Sequence, residues 1–319
     1  LTFENLGRSE INTSAYFIKK LLHSWRFFTN YNFPLKSKKN VEHHYDLGEE
    51  LYDLFLDKKY RQYSCAYWKS SKDSLEEAQQ NKINHIIKKL NLLPGQRCAE
   101  IGSGWGSLCF EIAKQSECEV TGVTLSKNQH EYCKKKAKEL KLDNQCNFEL
   151  MDYRHLQGKY HRIVSVGMLE HVGRKFYKTF FKKINDLMTD DGVALIHTIG
   201  STEPKSPPQP FIQKYIFPGG LVPSASDLID AIEKSKLVLS DMESLIHHYD
   251  KTLKAWLDRF LTNREKAKKM YSEKFCKMWE FYLASCSAAF KYRDLLVYQI
   301  QIVKKFDAVP SNRRDYIYQ

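Results

Sequence analysis

Long apolar runs are missing from this 319-residue chain. A helix that crosses a bilayer needs about 20 consecutive apolar residues, and no stretch here reaches even ~18. We therefore expect no membrane-spanning helix. Hydrophobic residues still make up 42% of the chain. That is enough for the core of one large α/β domain with helical additions, and it excludes a wholly disordered chain.

Metal-binding cysteine spacings are missing as well. The eight cysteines form no CxxC pair and no His/Cys cluster of the kind that holds zinc. We expect no metal site, and we expect free thiols in a reducing cytoplasm. The cysteines stand at positions 65, 98, 109, 118, 133, 146, 276 and 286.

The chain also lacks an acidic excess, since its net charge is +12. Residues 1–44 carry 7 Lys/Arg against 3 Asp/Glu, and residues 251–319 carry 15 against 7. Residues 45–250 have 28 of each and are neutral. Basic termini suit an anionic membrane surface or a nucleic acid, and charge alone does not distinguish these partners. Residues 14–30 form a predicted amphipathic helix that either lies in a membrane interface or packs on its own domain.

From about residue 74 the predicted strands and helices alternate. This alternation is typical of a mostly parallel sheet with helices on both faces, and so of the α/β class. The strands are predicted at 97–101, 119–125, 146–150, 162–168, 193–198, 237–245 and 295–303, the last closing the sheet, and the helices at 74–92, 127–141, 174–188 and 225–235.

Two stretches interrupt the alternation. Residues 201–224 contain six prolines directly after a strand, and connections of this length are usually functional. Residues 250–290 are mostly helical in pattern and rich in aromatic side chains. We interpret the second stretch as a helical insert into the α/β domain.

The most informative local motif is a glycine-rich turn after the first strand. Glu100 is followed by Gly102, Gly104 and Gly106 in the sequence EIGSGWG. Glycines allow a tight turn and let backbone N–H groups approach a ligand. The GxGxG spacing differs from the GxGxxG of dinucleotide-binding turns. It indicates a site for the methionine and ribose parts of S-adenosylmethionine.

Polar residues follow the next two strands. Thr124 and Gln129 offer groups for ribose hydroxyls, and Asp152-Tyr153 offers an acceptor for an adenine amino group beside an aromatic ring. Ligands of open α/β sheets bind outside the carboxyl ends of the strands, where all these residues are predicted to lie.

Other reactive residues are scattered along the chain. Glu170 follows the fourth strand, His197 ends the fifth, Cys65 lies in YSCAYW and Tyr249 in HHYDKTL. A histidine in an apolar strand or a cysteine among aromatic residues is more often packed than catalytic. Spacing alone does not assemble these residues into one site.

The motifs, taken in order, closely resemble the cyclopropane-fatty-acid synthase family, which includes mycobacterial mycolic acid cyclopropane synthases. The resemblance covers about residues 40–305. Glu100 stands where many relatives carry Asp, and Ser103 where many carry Cys. Longer bacterial members have an extra N-terminal domain, and we expect residues 1–44 to be at most a remnant of it. The motifs are YDLGEELYDLFLD, YSCAYW, EIGSGWG, GVTLSKNQ, DYR, RIVSVGMLEHVG, LIHTIGS, YIFPGG and DKTLKAW.

The resemblance implies a class I (Rossmann-like) methyltransferase fold over residues 45–319, with a seven-stranded sheet and lipid-binding helical insertions. It implies that a bicarbonate ion is held by Cys65, Glu170, His197, the backbone of Ile199, and Tyr249. The S-adenosylmethionine residues implied by the motifs are Tyr63, Ser64, Glu100, Gly102, Gly104, Thr124, Leu125, Gln129, Asp152 and Tyr153.

The expected activity is methylene transfer from S-adenosylmethionine to the cis double bond of a phospholipid acyl chain, giving a cyclopropane. The insert 250–290 and the proline-rich stretch are candidates for the acyl tunnel wall. We expect a cytoplasmic protein that is peripheral at the inner face of an anionic membrane and has no nucleic-acid partner. Its oligomeric state stays open between a monomer and a homodimer. The alternatives are a small-molecule N-methyltransferase, a lipid enzyme with methyl-branched or methylene products, and a nucleic-acid-binding protein with a degenerate fold.

Overall fold

The computed structural model describes residues 49–203 and 209–318. The predicted N-terminal segment 1–44, with its amphipathic helix 14–30, lies outside these described residues, as do three prolines in 204–208. Within the described ranges, no helix combines the length and the apolar character that a bilayer crossing requires.

One mixed sheet of seven strands forms the centre of the described chain. Its strands are β1 (Arg97–Ile101), β2 (Glu119–Thr124), β3 (Cys146–Leu150), β4 (Tyr160–Val166), β5 (Met188–Ser201), β6 (Val238–Leu245) and β7 (Leu295–Val303). They lie in the order β3-β2-β1-β4-β5-β7-β6. β1 to β5 run parallel, and β7 is antiparallel to both of its neighbours. The predicted α/β class with a mostly parallel seven-stranded sheet is therefore confirmed.

The helices of the described chain include four that the sequence pattern did not predict: α1, α3, α6 and α11 in the numbering that follows. The helices are α1 (Glu49–Asp53), α2 (Leu75–Leu90), α3 (Ser107–Ser116), α4 (Lys127–Glu139), α5 (Tyr177–Leu187), α6 (Pro210–Tyr215), α7 (Ala225–Glu233), α8 (His248–Thr262), α9 (Arg264–Met270), α10 (Glu273–Tyr292) and α11 (Asp315–Tyr318).

The position of β7 differs from the prediction that it closes the sheet. It lies between β5 and β6, and β6 forms the edge. Burial explains the order, because β7 is buried along nearly its whole length whereas β6 is only partly buried. An interior strand has neighbours on both sides, and an edge strand does not.

The helix α3 escaped prediction because its start carries no capping side chain. Its N-cap is Gly106, in the left-handed region with φ +78°, and no side chain accepts a hydrogen bond there. Ser, Thr, Asp or Asn at this position is the usual sequence signal of a helix start. The same glycine ends the glycine-rich turn, so turn and helix form one continuous unit.

Three apolar clusters hold the elements together. One joins β1, β4, β5 and β7 to α5 and α7, and a second joins the sheet to α2, α3 and α4. The third joins α8 and α10 to α1, to the YSCAYW segment and to Trp105 of the glycine turn. The predicted insert 250–290 is thus occupied by α8, α9 and α10, which pack beside the glycine turn.

Candidate active site

A cavity opens at the carboxyl ends of β1, β2 and β4. Seven of the ten cofactor residues expected from the motifs line it: Gly102, Gly104, Thr124, Leu125, Gln129, Asp152 and Tyr153. The other lining residues are Ile101, Val123, Met151, Arg154, Val166, Gly167, Met168, His171, Val172 and Phe176.

The glycine turn leaves space for a ligand at one position and is tightly packed at another. Gly102 and Gly104 have φ values of +86° and +52°, which side chains rarely adopt. A Cβ on Gly104 would meet nothing within 4 Å, so the turn is open to the cavity there. A Cβ on Gly102 would lie 3.0 Å from the side chain of Met168, which closes the cavity from the β4 side.

Polar groups after β2 are held in fixed positions. The hydroxyl of Thr124 donates to the amide oxygen of Gln129 over 2.9 Å, and both side chains are buried. Ser126 caps α4 by accepting a hydrogen bond from the Gln129 N–H over 3.4 Å. This arrangement directs hydrogen-bonding groups of Thr124 and Gln129 toward the cavity that they line.

The acid expected to accept an adenine amino group has a partner that the sequence did not indicate. Arg154 Nε donates to Asp152 Oδ1 over 2.8 Å, and Arg154 also lines the cavity. Burial opposes ionisation of Asp152, but the hydrogen bonds from Arg154 outweigh it and lower the pKa of Asp152. Asp152 is therefore an ionised acceptor at neutral pH.

Three of the expected cofactor residues do not line the cavity. The Glu100 side chain lies between the sheet and α3, where the Cys109 thiol donates to it over 2.8 Å, and burial raises its pKa to about 7. Alternation along β1 explains this, because Ile101 faces the cavity and Glu100 the opposite side. The expectation of a direct cofactor contact through this side chain therefore needs correction.

Tyr63 and Ser64 are likewise held elsewhere by neighbouring side chains. The Tyr63 ring stacks on Trp256 with centroids 5.1 Å apart, and its hydroxyl lies 2.9 Å from the hydroxyl of Tyr282. The buried ammonium of Lys82 donates to the Ser64 hydroxyl over 2.8 Å. Tyr63 thus packs against the third apolar cluster, around α8 and α10. Ser64 lies at the polar border of that cluster, beside Lys82.

The centre of the expected oxyanion set is Glu170, in the short 3₁₀ turn after β4. The backbone N–H of Ile199 on β5 donates to Glu170 Oε1 over 2.6 Å. Glu170 Oε2 is buried and has no hydrogen-bond partner among the described residues. Burial raises the pKa of Glu170 to about 6. An orphaned, desolvated carboxyl oxygen is costly, and such groups mark functional sites.

His197 and Ile199 project from the same face of β5, since side chains alternate along a strand. His197 is buried, and the side-chain amide of Gln299 on β7 lies 3.2 Å from its Nδ1. Burial lowers the pKa of His197 well below its usual value, so the ring is neutral near pH 7. A neutral imidazole can donate one hydrogen bond to an anion.

Cys65 and Tyr249 approach this region from the third apolar cluster, against which Ile199 also packs. Burial raises the pKa of the Cys65 thiol, which donates to the carbonyl of Ala66 and remains protonated. Tyr249, at the start of α8, packs on Phe290 with ring centroids 4.6 Å apart. The structure thus brings Glu170 and Ile199 into contact and gathers Cys65, Ile199 and Tyr249 at one cluster.

The two parts of the site are adjacent. His171 lines the cofactor cavity, while its neighbour Glu170 contacts Ile199. The structure adds three residues to which the sequence analysis gave no role: Arg154, His171 and Gln299. Each left a local signal, because Arg154 stands in the DYR motif, His171 stands beside Glu170, and Gln299 is a polar residue in the largely apolar strand LLVYQIQIV.

No three His, Cys, Asp or Glu groups of the described ranges assemble as metal ligands. All eight cysteines are free.

Comparison with known proteins identifies the family of the chain. The model of the family described as mycolic acid cyclopropane synthetase matches residues 34–300. The chain is 41% identical over 272 residues to the cyclopropane-fatty-acyl-phospholipid synthase of Escherichia coli strain K12, covering 84% of this chain and 69% of that protein.

Two solved structures extend the likeness to the fold. The cyclopropane synthase MmaA2 from Mycobacterium tuberculosis is 31% identical with a TM-score of 0.78, covering 83% of this chain and 97% of that one. The mycolic acid cyclopropane synthase CmaA1, in complex with SAH and CTAB, is 32% identical with a TM-score of 0.79 and the same coverage. The chain therefore belongs to the mycolic acid cyclopropane synthetase family and is an S-adenosylmethionine-dependent methyltransferase of lipids.

Proposed function

We propose that the chain transfers a methylene group from S-adenosylmethionine to the cis double bond of an unsaturated acyl chain in membrane phospholipid, and that the product is a cyclopropane. The observation that carries the proposal is the buried Glu170 carboxyl, with Oε1 bound by the Ile199 N–H and Oε2 unpartnered among the described residues. A methyl transfer to an amine needs no proton-abstracting ion after the transfer, because the product amine loses its proton to solvent.

The first step sets the demands on the site. An alkene is a weak nucleophile, and it attacks the sulfonium methyl carbon only when the two are held in line. The new bond leaves a carbocation on the acyl chain and releases S-adenosylhomocysteine. The residues lining the cavity, including Gly104, Gln129 and Asp152, would position the donor.

The second step is removal of a proton from the added methyl, which closes the ring. A bicarbonate ion, when bound, would supply the base. Its ligands in this chain would be Glu170, the Ile199 N–H, His197, Cys65 and Tyr249. The Ile199 N–H is donated to Glu170, whose Oε2 has no hydrogen-bond partner among the described residues. Glu170 would orient the ion rather than act as the main base itself.

Water must be excluded from the site, because it would attack the carbocation and give an alcohol instead of the ring. Aromatic rings around Tyr63 supply a dry wall: Tyr52, Phe55 and Trp256 lie with ring centroids 5.4, 5.9 and 5.1 Å from it. The neutral states of Cys65 and His197 also avoid charged groups that would draw water into the site.

The direct test is an assay with S-adenosylmethionine and vesicles of cis-unsaturated phospholipid. We expect acyl chains heavier by one methylene and resistant to hydrogenation, as a ring is, by mass spectrometry. Unchanged lipid would contradict the proposal. A heavier chain that still takes up hydrogen would mean that the cation loses a different proton, giving a methylene product.

Glu170→Gln separates chemistry from binding. The amide keeps an oxygen for the Ile199 N–H but cannot orient the ion as a carboxylate does, so we expect turnover to fall at least ~100-fold, within the usual range for acid–base groups. S-adenosylmethionine affinity, measured by calorimetry, should change less than about threefold. The exposed Glu233→Gln is the matched control. Equal losses of turnover and cofactor affinity would remove the assignment of Glu170.

A further inference from the structure

Three aromatic rings form a continuous patch on the surface beside the third apolar cluster. Phe211 of α6 lies between the other two, with ring centroids 5.4 Å from Tyr215 and 4.8 Å from Phe281 of α10. Tyr215 is 49% exposed and Phe281 is 57% exposed. Large exposed rings that touch one another, rather than standing singly, indicate a surface that meets something apolar.

Basic side chains border these rings. Lys214 is exposed, and its ammonium lies 5.0 Å from the Tyr215 ring centroid. Lys277 and Lys274 are exposed one and two turns before Phe281, on the same stripe of α10. Among the described residues, no carboxylate lies within ion-pair distance of these three lysines.

The acids of α10 are neutralised elsewhere. Arg264 donates to Glu280 over 2.6 Å and to Glu273 over 2.6 Å. The outward stripe of α10 therefore presents apolar and positive groups, while its two acids are tied to one arginine. Positive charge around exposed aromatic rings is complementary to anionic lipid headgroups over acyl chains.

The patch continues inward to the active site. Tyr282, the residue after Phe281, contacts Phe217 with ring centroids 6.2 Å apart. The hydroxyl of Tyr282 lies 2.9 Å from the hydroxyl of Tyr63. Phe217 in turn contacts His171, which lines the cofactor cavity, at 5.8 Å. Tyr282, Phe217 and Tyr63 thus form an apolar seam between α10 and the segment that follows β5. This seam connects the exposed rings with the wall of the cavity.

We infer that this patch, formed by Phe211, Tyr215 and Phe281 with Lys214, Lys274 and Lys277, docks on an anionic phospholipid bilayer and is the entrance through which an acyl chain reaches the active site. The inference rests on the proposed function, because an acyl substrate in a bilayer must pass from the membrane to the cavity. An unmodified protein partner would have no use for an apolar seam that leads to the cofactor.

Another exposed aromatic residue provides the internal comparison. Phe306 is 78% exposed, but it follows the end of the antiparallel strand β7, which pairs with the first half of β5, and its neighbour Lys305 donates to Asp190 over 2.6 Å. It therefore lies at the opposite end of the strands from the cavity. It is far from the seam and serves as a matched control for an exposed ring. Lys182 on the outer surface of α5 serves as the control for an exposed lysine.

The test uses the full chain and flotation with vesicles of unsaturated phosphatidylglycerol and phosphatidylcholine. Tyr215→Ser with Phe281→Ser, and separately Lys214→Glu with Lys277→Glu, should each weaken vesicle affinity by about tenfold or more. Phe306→Ser and Lys182→Glu should leave it unchanged. Thermal melting and S-adenosylmethionine affinity should stay at the parental values in all four variants, which shows that the fold is intact.

The outcomes separate the two proposals. Parental vesicle affinity in both patch variants, or equal losses in patch and control variants, would overturn the docking surface. Loss of binding only in the patch variants supports it, even if the parental protein leaves the lipid unchanged, a result that would contradict the proposed function alone.

Discussion

Burial of the Glu170 carboxyl affects the stability of the folded chain as well as the reaction. Its pKa is raised from 4.5 to about 6 because burial disfavours the charged form. The folded state therefore holds the proton more tightly than the unfolded state, and the free energy of unfolding falls as pH rises through this range. A group that the site needs is thus destabilising at neutral pH.

Glu170→Gln should accordingly stabilise the protein while it lowers activity. The amide cannot ionise and still accepts from Ile199, so at pH 7.5 we expect the free energy of unfolding to rise by about 2 kcal/mol. The gain should disappear below about pH 4, where the parental carboxyl is protonated in both states. Urea unfolding at both pH values measures this, and the exposed Glu233→Gln should show no such gain. A less stable variant at pH 7.5 would contradict it.

At the residue scale, the sequence predicted which residues line the cavity more accurately than it predicted which side chains contact one another. Thr124, Gln129 and Asp152 follow strand ends and lie where parallel strands present ligands. Their partners, such as Arg154, were not foreseeable because a short-range ion pair depends on rotamers. The roles of these residues in cofactor binding stay predictions.

At the element scale, α8 holds the segment that carries Cys65. The hydroxyl of Thr252 accepts from the Ala66 N–H over 3.1 Å and from the Trp68 indole over 3.0 Å, and it donates to the His248 carbonyl. One buried side chain thus joins YSCAYW to the helical insert. The pattern of YSCAYW has no helical or strand period, so its position depends on such tertiary bonds.

Thr252→Val should therefore loosen the segment. The substitution keeps the shape but leaves the buried Ala66 N–H and the half-buried Trp68 indole N–H unpaired. A buried unpaired donor costs about 1–3 kcal/mol, so we expect a loss of roughly 2 kcal/mol in the free energy of unfolding. Turnover should fall more than S-adenosylmethionine affinity, because Cys65 moves and the cavity does not. Thr262→Val on the exposed surface of the same helix should cost less than about 0.5 kcal/mol. Equal effects of the two variants would count against this role.

The sequence pattern predicted some helices and strands and missed others. Strands with strong apolar character, such as β4 and β7, were recognised from pattern. The helix α3 was missed because Gly106 starts it without a capping side chain. The position of β7 between β5 and β6 was not predicted, since a sequence pattern indicates burial but not which strand is the neighbour.

At the scale of the whole molecule, charge and apolar surface act together. The excess of +12 comes entirely from residues 1–44 and 251–319, and α10 with two lysines of the docking patch lies in the second of these. Attraction to an anionic bilayer adds to burial of the exposed rings. The first contribution is screened by salt, and the second is not.

Vesicle affinity should therefore fall with rising NaCl but not disappear. Exposed charges are screened beyond about 8 Å at 0.15 M ionic strength, so most of the loss should occur up to that concentration. Flotation with anionic vesicles over a salt series measures the slope, and vesicles of phosphatidylcholine alone are the control. Binding that is independent of salt and of lipid charge would contradict the contribution of the basic regions.

The sequence by itself determined the α/β class, the glycine turn, the polar strand ends and the family. Each of these depends on residue types that stand close together in the sequence, and residues that are close in the sequence stay close in the folded chain. Only the tertiary structure decided that Glu100 faces away from the cavity, that Glu170 contacts Ile199, and that α6 and α10 form an aromatic seam. Those features depend on which distant segments pack together and on how much water they exclude, and no local pattern encodes either quantity.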